Sequence, residues 1–320
     1  MRLTKGMVRD PFRALLLLRK TYRNWFGITA CYFARRPLYN VLLKNGLTIQ
    51  LDRRPTSLLS SLQHYHRWYD PSIYNLIGLA RLLEHGWEIK RIEPNHILLS
   101  QEPSTLLKCR LNQGTDISLV GEIFIRKVYG TDFQGKTVVD VGAYTGDSAI
   151  YFTNRGAKLV IGLEPDPRNY QLATENVQLN QLADRVKLLN VALSNDTGNS
   201  KIGLNWDTPN ITQLSDTVSK SGNIIDVPTI TVDEIINRFQ LPGIDVLKMN
   251  CEGCEYGIIR SLSDQTLESI GEIHLEFHEG PKEIPRILST HNFTVQIRGG
   301  TFGYITATRI PSDGHSYLSS

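Results

Sequence analysis

Val138-Val-Asp-Val-Gly-Ala-Tyr-Thr-Gly-Asp-Ser148 decides the fold. A short apolar run ends in an acid, Asp140, and turns through glycine into a helix-like segment. Gly142 lets the backbone turn close to a ligand, and Gly146 opens the helix without a Cβ in the way. The next apolar run ends, 24 residues after Asp140, in Gly162-Leu163-Glu164-Pro165. An acid at the tip of a second strand is placed to accept both hydroxyls of a ribose.

Around this stretch, apolar runs alternate with helix-like segments. Residues 136–141, 158–163, 186–191, 245–249 and 272–277 read as parallel strands, rich in Val, Ile and Leu and without strict alternation, as strands buried on both faces should be. Asp166-Pro167 supplies an N-cap and a first-turn proline for a helix through Leu179. Thr231-Val-Asp-Glu234 is a capping box with Ile230 and Ile235 as a hydrophobic staple. Residues 281–290 read as a helix, and 293–298 and 301–310 as two closing strands. The expected fold class is α/β, a doubly wound, Rossmann-like, seven-stranded sheet over residues 120–320. Before it lie an α+β accessory region, 37–119, with a hairpin turning at Asn45-Gly46, and a basic helical segment, 1–36. A helix is expected over 121–128, and the polar stretch 199–227 reads as a long loop suited to covering a substrate.

The glycine spacing selects the cofactor. A dinucleotide site wants Gly-x-Gly-x-x-Gly for close approach of the pyrophosphate, whereas here Ala143 and Tyr144 separate the glycines and Asp147 would repel a phosphate. A sulfonium with an amino-acid tail suits these residues better, with Asp140 meeting its ammonium. S-adenosylmethionine is therefore favoured over NAD(P), which stays as the alternative of a nicotinamide-dependent oxidoreductase.

Four stretches carry a family resemblance: 140–148, 162–180, 191–198 and 231–262, the last containing Ile244-Asp-Val-Leu-Lys-Met-Asn-Cys-Glu-Gly-Cys-Glu-Tyr256. Together they resemble the class I S-adenosylmethionine-dependent methyltransferases, and within them the FkbM family, over residues 122–310. Lys248, Glu252, Gly253 and Glu255 match the family's pattern, while Asn250 stands where an aspartate is usual and Tyr144 where asparagine is frequent. The resemblance implies that Asp140, Gly142, Tyr144, Gly146 and Glu164 are cofactor residues and that Ala192 lies near the adenine. It also implies O-methylation of a hydroxyl on a sugar, glycan, glycolipid or other small natural product.

Displacement at a sulfonium methyl requires an oxygen held in line and a base for its proton. Lys248, Asn250 and Glu252 leave the fourth parallel strand at its carboxyl end, and His278 leaves the fifth, so these four are the catalytic candidates. Each has a plainer reading. Lys248 and Asn250 point to one side and could only shape the pocket, Glu252 could be a helix-capping acid, and a lone histidine is more often structural.

Composition narrows the rest. The chain has 320 residues, 41% hydrophobic and 21% charged, the make-up of a globular protein. Residues 1–36 carry nine Lys or Arg against Asp10, a net +8, while the remainder sums to −5. That segment raises a nucleic-acid or protein methyltransferase as a further alternative, although no RNA-binding signature accompanies it. Leu15, Leu18, Tyr22 and Phe26 line up as one apolar helix face beside arginines, either packed on the second domain or touching anionic lipid peripherally. No apolar stretch reaches the roughly 20 residues of a membrane span. Four scattered cysteines suggest a reducing, cytoplasmic setting, with Cys251 and Cys254 as small residues in a turn and no metal site.

Overall fold

The computed structural model describes residues 11–33, 40–51, 71–204, 213–214, 223–251 and 253–311. The chain opens with α1 (Pro11–Thr21) and α2 (Trp25–Phe33), then a hairpin of β1 (Asn40–Leu42) and β2 (Thr48–Gln50) turning at Gly46 with φ 95°. Next come α3 (Pro71–Glu84) and an antiparallel meander of β3 (Glu88–Ile92), β4 (His96–Gln101) and β5 (Thr105–Arg110). A short α4 (Asp116–Val120) runs straight into a π-helical turn, Gly121–Ile125, where one continuous α-helix from Gly121 was expected.

The second half supplies β6 (Thr137–Val141), α5 (Asp147–Asn154), β7 (Leu159–Leu163), α6 (Pro167–Leu179), β8 (Val186–Leu189) and β9 (Ala192–Leu193). It continues with β10 (Gly198–Leu204), β11 (Gln213–Leu214), β12 (Asn223–Ile230), α7 (Val232–Arg238) and β13 (Ile244–Met249). It closes with α8 (Cys254–Ser261), α9 (Asp264–Glu268), β14 (Ile270–Phe277), α10 (Ile284–Thr290), β15 (Phe293–Gly299) and β16 (Gly303–Arg309).

Seven of these strands form one sheet in the order β15-β16-β14-β13-β6-β7-β8. β14, β13, β6, β7 and β8 pair in parallel, and β16 inserts antiparallel between β14 and β15. This is the doubly wound sheet expected. Its strand order reverses between β6 and β13, which places the ligand crevice outside the carboxyl ends of those two strands. The caps are where the sequence puts them: Asp166 accepts from Arg168 N, and Thr231 accepts from Glu234 N. The reciprocal half of the Thr231 box is not made, because Glu234 Oε2 takes the Thr197 hydroxyl instead.

Two expectations are corrected. The stretch 199–227 is largely strand among its described residues: β10 pairs with β11 and β12, and β12 with β9. Buried Ile202 and Val227 alternate with polar neighbours there and pack on Ala192, so the polar composition hid a small sheet. At the N-terminus, Leu18 and Tyr22 are buried but Phe26 is 71% exposed. The chain turns between α1 and α2, where Tyr22 bridges to Leu43, so the single helical face does not persist.

The accessory elements are a layer on the sheet and share its core. One contiguous apolar cluster runs from Leu17, Leu79, Trp87 and Leu107 to Val138, Tyr151, Val160 and Val246. The free edge of β5 is closed by side chains of α6 in place of another strand. Asn176 Oδ1 accepts from Lys108 N at 2.7 Å and its amide donates to Lys108 O and Thr145 O; one helical turn on, Asn180 accepts from Leu106 N and donates to Leu106 O. An exposed strand edge is thereby satisfied from within. Asn176→Ala, which strands buried peptide groups, should lower the unfolding free energy by about 1–3 kcal/mol and keep a single transition in urea followed by circular dichroism.

Candidate functional site

The turn after β6 is held by three neighbouring strand ends. Gly142 N and Ala143 N donate to Leu163 O, and Asn250 N donates to Val141 O. Gly142 (φ 74°) is obligatory for packing as much as for conformation: a Cβ there would collide with the carbonyl of Asn250. Gly146 (φ 78°) lies against Ala173 of α6, where a Cβ would be in tight contact at 3.2 Å. Both glycines therefore bring chain against chain, where the sequence alone had them opening space for a ligand.

Asp140 is fully buried, and both of its oxygens are engaged: Oδ1 with Lys248 Nζ at 2.8 Å and Oδ2 with the Ser148 hydroxyl at 2.6 Å. The same Lys248 ammonium donates to Gly142 O at 2.9 Å and lies 5.4 Å from the centre of the Tyr129 ring. Lys248 is thus a buried counter-ion that fixes the turn, and Asp140 has its cation already.

Glu164, at the end of β7, accepts from Tyr144 N through Oε2 and from Asp166 N and Asn169 Nδ2 through Oε1. Burial pushes its carboxyl up to about 7. Asp147, the first residue of α5, is likewise pushed up to about 7 by burial; Oδ1 accepts from Ser148 N, and Oδ2 has no partner. Two buried acids with spare acceptor capacity fit a ligand that brings hydroxyl donors and positive charge.

Tyr144 adopts φ 49°, a conformation that asparagine tolerates better than tyrosine. Contacts from the accessory layer hold it there. Its hydroxyl donates to Asp116 Oδ1 at 2.5 Å, and the Arg110 guanidinium lies 5.0 Å from its ring centre. Arg110 is forked onto Asp116 through Nε and Nη2 and reaches Asn169 through Nη1. Arg110, Asp116 and Asn169 were not singled out in the sequence; the signal was Tyr144 itself, an aromatic ring where a small amide is usual.

A second cluster gathers at the carboxyl ends of β13 and β14. Asn250 Nδ2 donates to Glu276 Oε2 at 2.9 Å, while its buried Oδ1 has no hydrogen-bond partner. The Tyr304 hydroxyl is within hydrogen-bonding reach of Glu276 and of Glu122 in the π-helical turn. His278 Nδ1 is 3.4 Å from Glu255 Oε1, and Glu255 Oε2 accepts from Gly253 N. Cys251 and Cys254, expected as free small residues, are joined by a disulfide, with Cys251 Sγ 3.6 Å from Glu255 Oε2. Glu252 lies outside the described residues. Ala192 is buried where β9 pairs with Thr229 of β12, next to Asn190, whose amide donates to Glu164 O. Among the described residues, no group of acids, histidines and cysteines has the arrangement of a metal site. A cleft of about 350 Å³ lies elsewhere, between the β3–β5 meander and α6, and its Arg91 and Lys108 are paired with Glu93 and Glu175.

The raised carboxyls fix a direction for stability. Asp147 and Glu164 bind protons more tightly folded than unfolded, so their contribution is full below the unfolded pKa near 4 and is lost as pH rises through about 7. The ligand-free protein should melt at a lower temperature at pH 8 than at pH 5.5, and Asp147→Asn should reduce that difference in calorimetric scans.

The Methyltransferase FkbM domain family matches residues 140–297, just under half of the chain. The hexuronic acid methyltransferase AglP of Haloferax volcanii is 26% identical over 161 residues, 49% of this chain and 63% of that protein. The ribosomal protein L11 methyltransferase of an Enterobacter species is 31% identical over 96 residues, 30% of this chain and 31% of that protein. The chain thus spans less than two-thirds of the length of these curated relatives. Among solved structures, the methyltransferase FkbM of Methylobacillus flagellatus aligns with a TM-score of 0.42 at 14% identity, covering 75% of this chain and 55% of the other. Among the described residues, no helix is long and apolar enough to cross a membrane. The match starts at the acid of the first turn and runs through both clusters, so residues 140–297 of this chain are similar to the FkbM methyltransferase family.

Proposed function

We propose that the chain is an S-adenosylmethionine-dependent O-methyltransferase whose acceptor is a hydroxyl of a sugar-containing molecule. The observation that carries this reading is a pair of buried acceptors without a hydrogen-bond partner, Asp147 Oδ2 at the start of the helix after β6 and Asn250 Oδ1 at the carboxyl end of β13. The family match supports the reaction, and the hexuronic acid methyltransferase among the relatives supports a sugar as acceptor.

The cofactor supplies an electrophilic methyl group on a sulfonium. Glu164 would accept the ribose hydroxyls: Oε2 carries one hydrogen bond, from Tyr144 N, and retains acceptor capacity. Asp147 would face the cofactor's positive charge, which favours its ionised form. Asn250, anchored through its amide to Glu276, presents a carbonyl oxygen that can accept the hydrogen of an incoming hydroxyl. His278, set by Glu255, is the group for the departing proton, because neutral imidazole accepts a proton near neutral pH and a neighbouring carboxylate stabilises the imidazolium. The paired cation Lys248 is assigned to holding the turn.

Calorimetry with S-adenosylmethionine tests the cofactor half. Wild-type affinity should weaken as pH falls through about 7, because a protonated Glu164 accepts hydroxyls poorly. Glu164→Gln should bind about 10–100-fold more weakly, as expected for hydrogen bonds to a charged group, and should lose most of that pH dependence. Absence of binding by the wild-type protein would refute the assignment.

Acceptor chemistry is tested by following labelled methyl groups into uronic-acid-containing and neutral saccharides. His278→Ala should leave cofactor affinity unchanged and lower kcat by about 10²–10⁴-fold, the range for losing a general base. Label entering only protein or RNA would overturn the saccharide reading.

A further inference from the structure

The inner faces of α1 and α2 are fully used. Ala14, Leu17, Leu18, Tyr22 and Ile28 are buried, and the Tyr22 hydroxyl donates to Leu76 O of α3 at 2.8 Å. The outer face has a different composition. Phe12 and Leu16, one helical turn apart, are 68% and 48% exposed, and Phe26 is 71% exposed. Arg19 connects the two helices on this side. The Arg19 guanidinium, one turn beyond Leu16, sits 5.9 Å from the Trp25 ring centre, and Trp25 meets Phe26 edge-on with centroids 5.9 Å apart.

The charge that α1 and α2 themselves carry has one sign. Arg13, Arg19, Lys20 and Arg23 are all exposed, and residues 11–33 contain no Asp or Glu. Lys20 is paired with Glu84 of α3 at 3.1 Å, and Arg23 donates to Lys44 O, so the helix pair is anchored at its rim while the aromatic and leucine side chains face outward. Apolar side chains ringed by arginine and lysine, with a tryptophan at the margin, match the chemistry of an interfacial membrane element.

We propose that the outer face of α1 and the start of α2 dock the protein on an anionic lipid surface. Phe12, Leu16 and Phe26 enter the headgroup and acyl boundary while the arginines meet lipid phosphates. Charge discriminates among occupants. A second copy would bring another strongly basic segment, +8 over residues 1–36, against the first. A nucleic acid would use the cations and leave the aromatic side chains in water. An anionic bilayer satisfies both sets of groups, and this inference stands whatever the methyl acceptor proves to be.

Co-sedimentation of the full chain with vesicles decides it. Binding is expected to phosphatidylcholine vesicles containing phosphatidylglycerol, to fall with added salt, and to be weaker to phosphatidylcholine alone. The double variant Leu16→Gln, Phe26→Gln, at two exposed positions remote from the site, should keep the wild-type melting temperature and lose at least about 10-fold in vesicle binding. Arg13→Gln with Arg19→Gln should lose the preference for the anionic vesicles. The inference is overturned if wild-type protein stays in the supernatant, or if the Leu16/Phe26 variant binds vesicles as well as wild type. It is equally overturned if that variant turns a dimer into a monomer in sedimentation velocity, which would make the face a contact between copies. Duplex RNA binding as tight as vesicle binding and indifferent to the Leu16/Phe26 change would assign the arginines to nucleic acid instead.

Discussion

The buried ion pair between Asp140 and Lys248 is the contact on which the site depends. It joins the carboxyl ends of β6 and β13, the two strands between which the sheet reverses its winding, and neither side chain is more than 3% exposed. A pair so deep is tolerable only when the remaining hydrogen-bonding capacity is also met, and here Ser148 and the carbonyls of Val141 and Gly142 meet it. Removing either partner would leave a buried charge uncompensated, at a cost of about 3–5 kcal/mol. The same contacts position the turn, since the Lys248 ammonium grips the carbonyl of the glycine that begins it. A single interaction thus couples the stability of the sheet to the shape of the crevice at its edge.

From that turn, constraint passes outward into a layer that the family match does not cover. Tyr144 bonds through its backbone to Glu164 and through its hydroxyl to Asp116, so the acid at the tip of β7 and the start of α4 are tied to one residue. Arg110, at the end of β5, closes the loop by holding Asp116 and Asn169 together. Asn176 and Asn180 seal β5 onto α6 a little further along. The accessory layer therefore acts as a buttress for the turn after β6, and residues before 120 contact that turn although they lie outside residues 140–297.

Legibility followed locality. Strands buried on both faces, the Asp166-Pro167 cap and the Gly142 and Gly146 turn each announce themselves within a few residues, so the sheet and the place of the crevice were readable. In the accessory region β5 has no local signal, because its neighbours are set by contacts with α6, more than 60 residues away. The small β9–β12 sheet was missed because its few buried residues sit in a run of Asn, Ser, Thr and Asp that imitates a loop. Within the site, the acids were readable as acids but their partners were not. Nothing in the sequence says that Lys248 reaches back to Asp140, or that Gly142 is demanded by a carbonyl from β13 as well as by its own φ angle.

The two departures from the family's usual residues become intelligible when each is read with its partner. An aspartate at position 250 would set a second carboxylate against Glu276, at the distance where Asn250 now donates a hydrogen bond. Two carboxylates so close cannot both ionise, and one would be held protonated. With asparagine the pair carries one negative charge, Glu276 is stabilised by an amide donor, and a neutral, buried carbonyl oxygen is left without a hydrogen-bond partner. An amide cannot take a proton from a hydroxyl. Under the proposed function the base is then another group, and His278, set by Glu255, is the one assigned. Tyr144 follows the same logic: its strained backbone is maintained because its ring and hydroxyl meet Arg110 and Asp116, whose contact asparagine is too short to make. Each exchange is local in sequence and non-local in cause: reverting Tyr144 alone would remove one donor from Asp116, and reverting Asn250 alone would remove the amide donor from Glu276.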